Sequence, residues 1–203
     1  MRLIAIVRLS TPDNVVRVCQ ELVDAGLPGV EVTLNTPGAL AAIGALGGAV
    51  GAGSVRTAAQ ARDAQNAGAA FLVTPTTKPE VLRAASVPVV CGALTPTEID
   101  LASSSGAAYV KVFPASAMGP GYVKEVLAPM PELKLIPTGG VTLANIGDYA
   151  QAGAVGVGVG SALVTEDIVE LRRRAKLFIE AAEAAWRPRS SPLADPQLGR
   201  TAG

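Results

Sequence analysis

Eight short apolar runs, each separated from the next by a stretch with helical or turn character, constrain this chain more than any other feature. They fall at residues 3–7, 30–34, 49–53, 71–74, 87–91, 109–113, 134–137 and 155–159. The runs are continuous instead of alternating, which is the pattern of parallel strands covered on both faces. Helix boundaries recur between them. Thr11-Pro12-Asp13 and Thr95-Pro96-Thr97-Glu98 each place a capping hydroxyl ahead of a proline at the first helical position, and Thr142 precedes a further helix. Ala-Gly stops at Ala25-Gly26, Ala67-Gly68 and Ala152-Gly153 each fall a few residues before a strand. Repeated strand–helix units in a chain of 203 residues predict an α/β fold, a compact (β/α)8 TIM barrel over residues 1–187. A doubly wound open sheet is the competing arrangement. Against it, the first strand–helix turn, Arg8-Leu9-Ser10-Thr11, has no GxGxxG and signals no dinucleotide site. The last helix is expected from about 167 to 186, with Ile168, Leu171, Ala175, Phe178 and Ala182 on one face. Residues 188–203, rich in Pro, Ser and Gly, read as a mobile tail without a catalytic part.

Composition removes whole classes of function. Apolar residues form 49% of the chain and charged residues 17%, which argues against disorder. Formal net charge is zero, no basic block occurs and aromatics are 3%, so nucleic acid is not an expected partner. No apolar run reaches the length of a membrane span, and the apolar start at residues 3–7 is too short for a signal segment. A cytoplasmic protein without a membrane partner is therefore expected. Cys19 and Cys91 fit neither a disulfide framework nor a metal knuckle and read as small buried hydrophobes. The chain has no histidine. That excludes Ser-His-Asp and Cys-His nucleophile systems and the common histidine-bearing metal sites. Acid–base work then falls to carboxylates, lysine, tyrosine or water.

One residue breaks the apolar pattern at a telling place. Lys111 sits within Tyr109-Val110-Lys111-Val112-Phe113-Pro114, otherwise a fully buried strand. Burying an ammonium is costly, so the lysine should be paired, displaced towards water or lowered in pKa. A free amine at neutral pH can condense with a keto group to a Schiff base; a lysine that snorkels to solvent would do nothing. Glu31, in Gly29-Val30-Glu31-Val32-Thr33-Leu34, is the second such exception. Both lie on even-numbered strands, which contribute to common interior layers of a barrel. Glu31 is then either an ion-pair partner that keeps Lys111 quiet or a general base beside an amine.

Other candidates gather where the strands end. Thr138-Gly139-Gly140-Val141 follows the seventh strand and Gly158-Val159-Gly160-Ser161 the eighth. Loops at those positions of a barrel often hold a phosphate on glycine amides. The ligand should carry a phosphate. Gly51-Ala52-Gly53-Ser54-Val55 and Thr74-Pro75 offer hydroxyls and close backbone approach around a carboxylate-sized group, or are ordinary turns.

With Glu31, "VEVTLNTP", "VGAGSV", "VKVFPAS…GPGYVKEV" and "PTGGVT…VGVGSALV" in order, the chain resembles the 2-keto-3-deoxy-6-phosphogluconate aldolase family over residues 3–178. This class I aldolase family also contains 2-keto-3-deoxy-6-phosphogalactonate and 4-hydroxy-2-oxoglutarate aldolases. The resemblance implies a trimer of barrels, a Schiff-base lysine at Lys111 and an acid/base glutamate at Glu31, with no metal or cofactor. It puts pyruvoyl carboxylate contacts around Ser54, the Thr-Gly-Gly turn at Thr138, Gly139 and Gly140, and the phosphate serine at Ser161, beside Gly160. Some phosphogluconate-type members have an arginine where Asn35 stands, and Leu34-Asn35-Thr36-Pro37 looks closer to the phosphogalactonate type. Arg8 matches an arginine of other members and could supply that cation, holding the carboxylate end with Ser54. The expected reaction is cleavage of 2-keto-3-deoxy-6-phosphogluconate to pyruvate and glyceraldehyde 3-phosphate. Its alternatives are the same chemistry on the galactonate epimer or 4-hydroxy-2-oxoglutarate, and, remotely, a non-catalytic barrel that binds a phosphorylated acid.

Overall fold

A computed structural model describes residues 2–187; the tail expected at 188–203 lies outside the described residues. The chain alternates strand and helix throughout. The strands are β1 (Leu3–Val7), β2 (Val30–Thr33), β3 (Gly51–Gly53), β4 (Leu72–Val73), β5 (Val89–Ala93), β6 (Tyr109–Val112), β7 (Leu135–Pro137) and β8 (Val157–Val159). The helices between and after them are α1 (Val15–Asp24), α2 (Ala39–Leu46), α3 (Ala58–Asn66), α4 (Pro79–Ala84), α5 (Pro96–Ser104), α6 (Gly119–Leu127), α7 (Ile146–Gln151) and α8 (Ile168–Ala185). All pairings are parallel and run β7-β6-β5-β4-β3-β2-β1-β8. A bridge between Thr138 and Gly158 joins the two ends of that sheet. The result is the expected (β/α)8 TIM barrel, not an open sheet.

The period-2 geometry of each strand divides its side chains between two environments. Leu3, Ala5 and Val7 of β1 belong to the outer core beneath the helices, together with Leu171, Ala175, Phe178 and Ala182 of α8. Full burial of side chains such as Leu171 and Phe178 contributes about 1.5–3 kcal/mol each. Ile168, expected on the same face, is only half-buried. Facing the bore, Ile4, Phe71, Val73, Val90 and Ile136 form a second apolar cluster, with Tyr109 and Val155 packed against it. This cluster plugs the bore. Among the described residues no helix is long and apolar enough to cross a membrane.

Local chemistry explains where the elements depart from expectation. Thr95 and Glu98 form a full capping box at the start of α5, as the sequence predicts. Pro12, by contrast, does not open α1. Its carbonyl accepts from Val15 N–H at 3.3 Å and keeps it within a turn, so the helix starts at Val15. Asn14, at the N-cap, makes no capping bond, and its Nδ2 donates to Glu166 at 2.9 Å. The fifth strand begins two residues later than expected. Pro88 has no N–H to give to a ladder, although its carbonyl accepts from Leu72. Pairing with β6 carries β5 on through Gly92 and Ala93, residues that signal no strand by themselves.

Candidate active site

Lys111 and Glu31 both face the bore. Lys111 lies in register between Gly92 of β5 and Ile136 of β7. It is 7% exposed, with Nζ 5.1 Å from the centroid of the Phe113 ring, within reach of a cation–π contact. None of the ion pairs among the described residues includes it. Glu31 lies between Ile6 of β1 and Gly51 of β3. It is 1% exposed, and its Oε1 accepts no hydrogen bond among the described residues. Burial pushes the Glu31 carboxyl above the usual carboxylate range, while the charges of Lys111 and Arg8 draw it back down. The two residues therefore influence each other through the bore without closing an ion pair. Leaving a buried oxygen unpartnered costs about 1–3 kcal/mol, an expense that folded proteins seldom carry outside functional sites.

Close backbone approach makes room for this pair. A Cβ on Gly53 would stand 2.6 Å from Glu31 Oε1 and 2.9 Å from its Cδ, so the carboxyl is berthed on bare backbone. A Cβ on Gly92 would meet the Pro75 carbonyl carbon at 2.4 Å. The loop after β4 leans in over β5, held by Gly92 N–H donating to Thr74 Oγ1 at 2.9 Å and Thr77 Oγ1 donating to Gly92 C=O at 3.0 Å. On the other side Thr33 Oγ1 donates to Val7 C=O at 3.2 Å, and Leu9 N–H donates to Thr36 Oγ1 at 3.3 Å. These bonds tie the loop after β1 to the loop after β2.

Two cavities open at the C-terminal ends of the strands. One, of 240 Å³, is lined by Ile6, Arg8, Leu9, Gly160, Ser161 and Val164. The other, of 360 Å³, is lined by Leu34, Asn35, Ser54, Arg56, Gln60 and Pro75. The structure thus brings Arg8 together with Gly160 and Ser161, and separates it from Ser54. The cause is ring closure, because β1 borders β8 while β2 stands between β1 and β3. Thr138 is buried and its hydroxyl donates to Ile136 C=O at 3.3 Å. The bridge from Thr138 to Gly158 sets the loops after β7 and β8 side by side. Gly139 and Gly140 do not line the Arg8 cavity, but form the neighbouring turn with φ of 94° and 77°. Side chains rarely tolerate that region, and a Cβ on Gly140 would also lie 2.6 Å from that of Ser116. Among the described residues, the amides of Gly139, Gly140 and Ser161 donate to no backbone or side-chain acceptor. Ser54 has φ 57°, left-handed for a residue with a Cβ, a conformation that costs on the order of 1–3 kcal/mol.

The model of the family described as KDPG and KHG aldolase matches residues 1–178 of the chain. The protein belongs to that family. It is an aldolase, hence a lyase. The chain is 34% identical over 195 residues to the 2-dehydro-3-deoxy-6-phosphogalactonate aldolase of Escherichia coli, covering 90% of this chain and 95% of that one. It is 35% identical over 158 residues to a 2-dehydro-3-deoxy-phosphogluconate aldolase of Treponema pallidum, covering 73% and 75%. A crystal structure of KDPG aldolase from Legionella pneumophila, with pyruvate captured at low pH as a covalent carbinolamine intermediate, superposes with a TM-score of 0.76. Identity there is 28%, over 90% of this chain and 93% of that one.

Two features of this aldolase lay beyond sequence reasoning. The berth at Gly53 needs the distance between β2 and β3 side chains, which no motif encodes. Arg56 lines the Ser54 cavity, yet in sequence it is one charge in a loop. Its only signal was its place two residues past Ser54.

Proposed function

We propose that this aldolase works through a Schiff base and cleaves 2-keto-3-deoxy-6-phosphogluconate to pyruvate and glyceraldehyde 3-phosphate. One observation carries the reading. Lys111 is an amine buried in the bore without a carboxylate partner, facing a carboxyl whose affinity for a proton is raised by burial. The covalent carbinolamine of the Legionella relative supports amine capture of pyruvate as the family's chemistry.

Nζ of Lys111 attacks the C2 ketone to give a carbinolamine, and loss of water leaves an iminium. Glu31, directly or through one water, takes the proton of the C4 hydroxyl. The C3–C4 bond then breaks, with its electron pair drawn into the iminium to form an enamine, and C4 leaves as the aldehyde carbon of glyceraldehyde 3-phosphate. The enamine takes a proton at C3, and water releases pyruvate and restores the free amine. Arg8, Gly160 and Ser161, beside the Thr138-Gly139-Gly140 turn, are assigned to the phosphate, and Ser54 to the carboxylate. Moving Arg8 to the phosphate end follows from its cavity. Anchoring the remote phosphate orients the reacting carbons, which contributes several kcal/mol.

A second reading keeps this chemistry on the galactonate epimer. The Leu34-Asn35-Thr36-Pro37 stretch favours it, as does the Escherichia coli relative. 4-Hydroxy-2-oxoglutarate would leave the Arg8 cavity without a phosphate. A homotrimer in the cytoplasm belongs to the same proposal. In support of the trimer, α2 is apolar nearly all round and leaves Leu40 41% exposed, as suits a helix covered by a neighbour.

Borohydride with pyruvate should fix one adduct, at Lys111, and Lys111→Ala should abolish both trapping and cleavage. Full cleavage by that variant would end the mechanism. Coupling pyruvate release to lactate dehydrogenase with each of the three acids ranks the substrates, and ligand-dependent melting with no turnover on any of them would favour the non-catalytic barrel.

A further inference from the structure

We propose that Arg56 is the cation that binds the substrate carboxylate, an assignment that rests on the aldolase reading above and gives the site its polarity. A phosphorylated 2-keto acid has an anion at each end, with the reacting carbons between them. The barrel mouth offers two cavities that suit this demand. The Arg8 cavity adjoins a turn whose glycine amides are free of protein acceptors, the arrangement that suits a phosphate. The second cavity is built of side-chain donors. It contains the Asn35 amide, the Ser54 hydroxyl and Gln60, and Arg56 is the one cation lining it.

Three observations aim Arg56 at a ligand. Among the described residues, its guanidinium enters no ion pair and no hydrogen bond; only its backbone N–H is engaged, by Gln60 Oε1 at 2.7 Å. The Gln60 bond fixes the backbone at the rim and leaves the side chain to the cavity. Ser54 follows directly on Gly53, the residue that berths the Glu31 carboxyl, so this cavity adjoins the acid–base group. Finally, Ser54 is held in a left-handed conformation there, and such strain persists where the surroundings fix a residue for function. A guanidinium matches a carboxylate through two parallel N–H···O bonds, which also fixes the carboxylate plane and so the face of C2 offered to the amine.

Pyruvate is the discriminating probe, since it has the carboxylate and lacks the phosphate. The measurement is the pyruvate concentration that gives half-maximal borohydride trapping in the full-length protein. Loss of a charge-assisted hydrogen bond predicts a rise of about 10- to 100-fold in Arg56→Ala. Arg56→Lys should recover part of that loss, because it keeps the charge without the fork. With the phosphorylated substrate, Arg56→Ala should raise KM much more than it lowers kcat. Arg8→Ala should raise KM for the phosphorylated substrate more than it weakens pyruvate capture, while Arg62→Ala, an exposed change on α3, should alter neither. Trapping by Arg56→Ala at the wild-type concentration overturns the assignment and leaves the aldolase standing. An equal weakening of pyruvate capture by Arg8→Ala also overturns it. Wild-type protein that captures no pyruvate removes the aldolase reading and this one with it.

Discussion

Adding a single methyl group at Gly53 should separate imine formation from carbon–carbon cleavage. In Gly53→Ala the new Cβ would lie 2.6 Å from Glu31 Oε1, 2.9 Å from its Cδ and 3.2 Å from Thr33 Cγ2. Ordinary carbon contacts begin near about 3.5 Å, so Cδ must retreat by roughly 0.6 Å and the oxygen by more. The backbone at Gly53 is not left-handed, so the strain falls on the carboxyl rather than on the strand. Overpacking of this kind costs about 1–3 kcal/mol, which predicts a folded protein with a Tm lower by several degrees. A displacement approaching 1 Å at a reacting group can cost about 10²-fold in rate. The expected result is kcat for cleavage reduced about 10²-fold, measured by lactate dehydrogenase coupling, with end-point borohydride trapping of pyruvate at Lys111 preserved. Wild-type kcat in a variant shown by its structure to contain the alanine would refute the berth as the device that positions Glu31. Loss of trapping and cleavage together, at unchanged Tm, would place Glu31 in imine formation as well.

Two further perturbations have signs that follow from the structure. Burial raises the Glu31 carboxyl, so the folded protein holds that proton more tightly than the unfolded chain. The contribution to stability is then lost as pH rises from the ordinary carboxylate range through the folded value. Glu31→Gln should remove this loss, seen as a flatter dependence of the urea midpoint on pH between 4 and 8. The same variant should lower kcat by about 10²- to 10⁴-fold and abolish the acidic limb of the kcat profile, whose wild-type midpoint should lie above the usual carboxylate range. An unchanged acidic limb removes Glu31 from the base role. Thr95→Ala breaks the capping box on α5, in which Glu98 N–H donates to Thr95 Oγ1 at 3.3 Å and Thr95 N–H donates to Glu98 Oε2 at 2.8 Å. A loss of about 1 kcal/mol should lower Tm by about 2–4 °C at unchanged kcat; a Tm within half a degree of wild type would show that the cap contributes nothing.

Much of the fold was legible in the sequence because parallel strands buried on both faces are written as unbroken apolar runs. The exceptions occur where small residues replace them. Gly92 and Ala93 extend β5 through pairing with β6, and Pro12 sits in a turn because Val15 N–H bonds back to it. Lys111 and Glu31 stood out for the same reason that the strands did, as charges within apolar runs. The grouping of loop residues was not legible. Which cavity Arg8 joins depends on β1 lying beside β8, a consequence of ring closure that appears only in three dimensions. The tie from Leu9 to Thr36 and the lean of Pro75 over Gly92 are likewise contacts between segments distant in sequence. A pattern of residue types can nominate charged groups on strands, but the neighbours of a loop side chain are set by assembly of the whole ring.

The cluster of Ile4, Phe71, Val73, Val90 and Ile136 has a bearing on traffic. With its floor sealed, the barrel is a blind-ended shaft, and everything that reacts inside must arrive and depart by one doorway. A fragment tethered to the lysine cannot leave until water cuts it loose, so the aldehyde must go out first during cleavage. In the synthetic direction, the order reverses and the keto acid must load before its aldehyde partner.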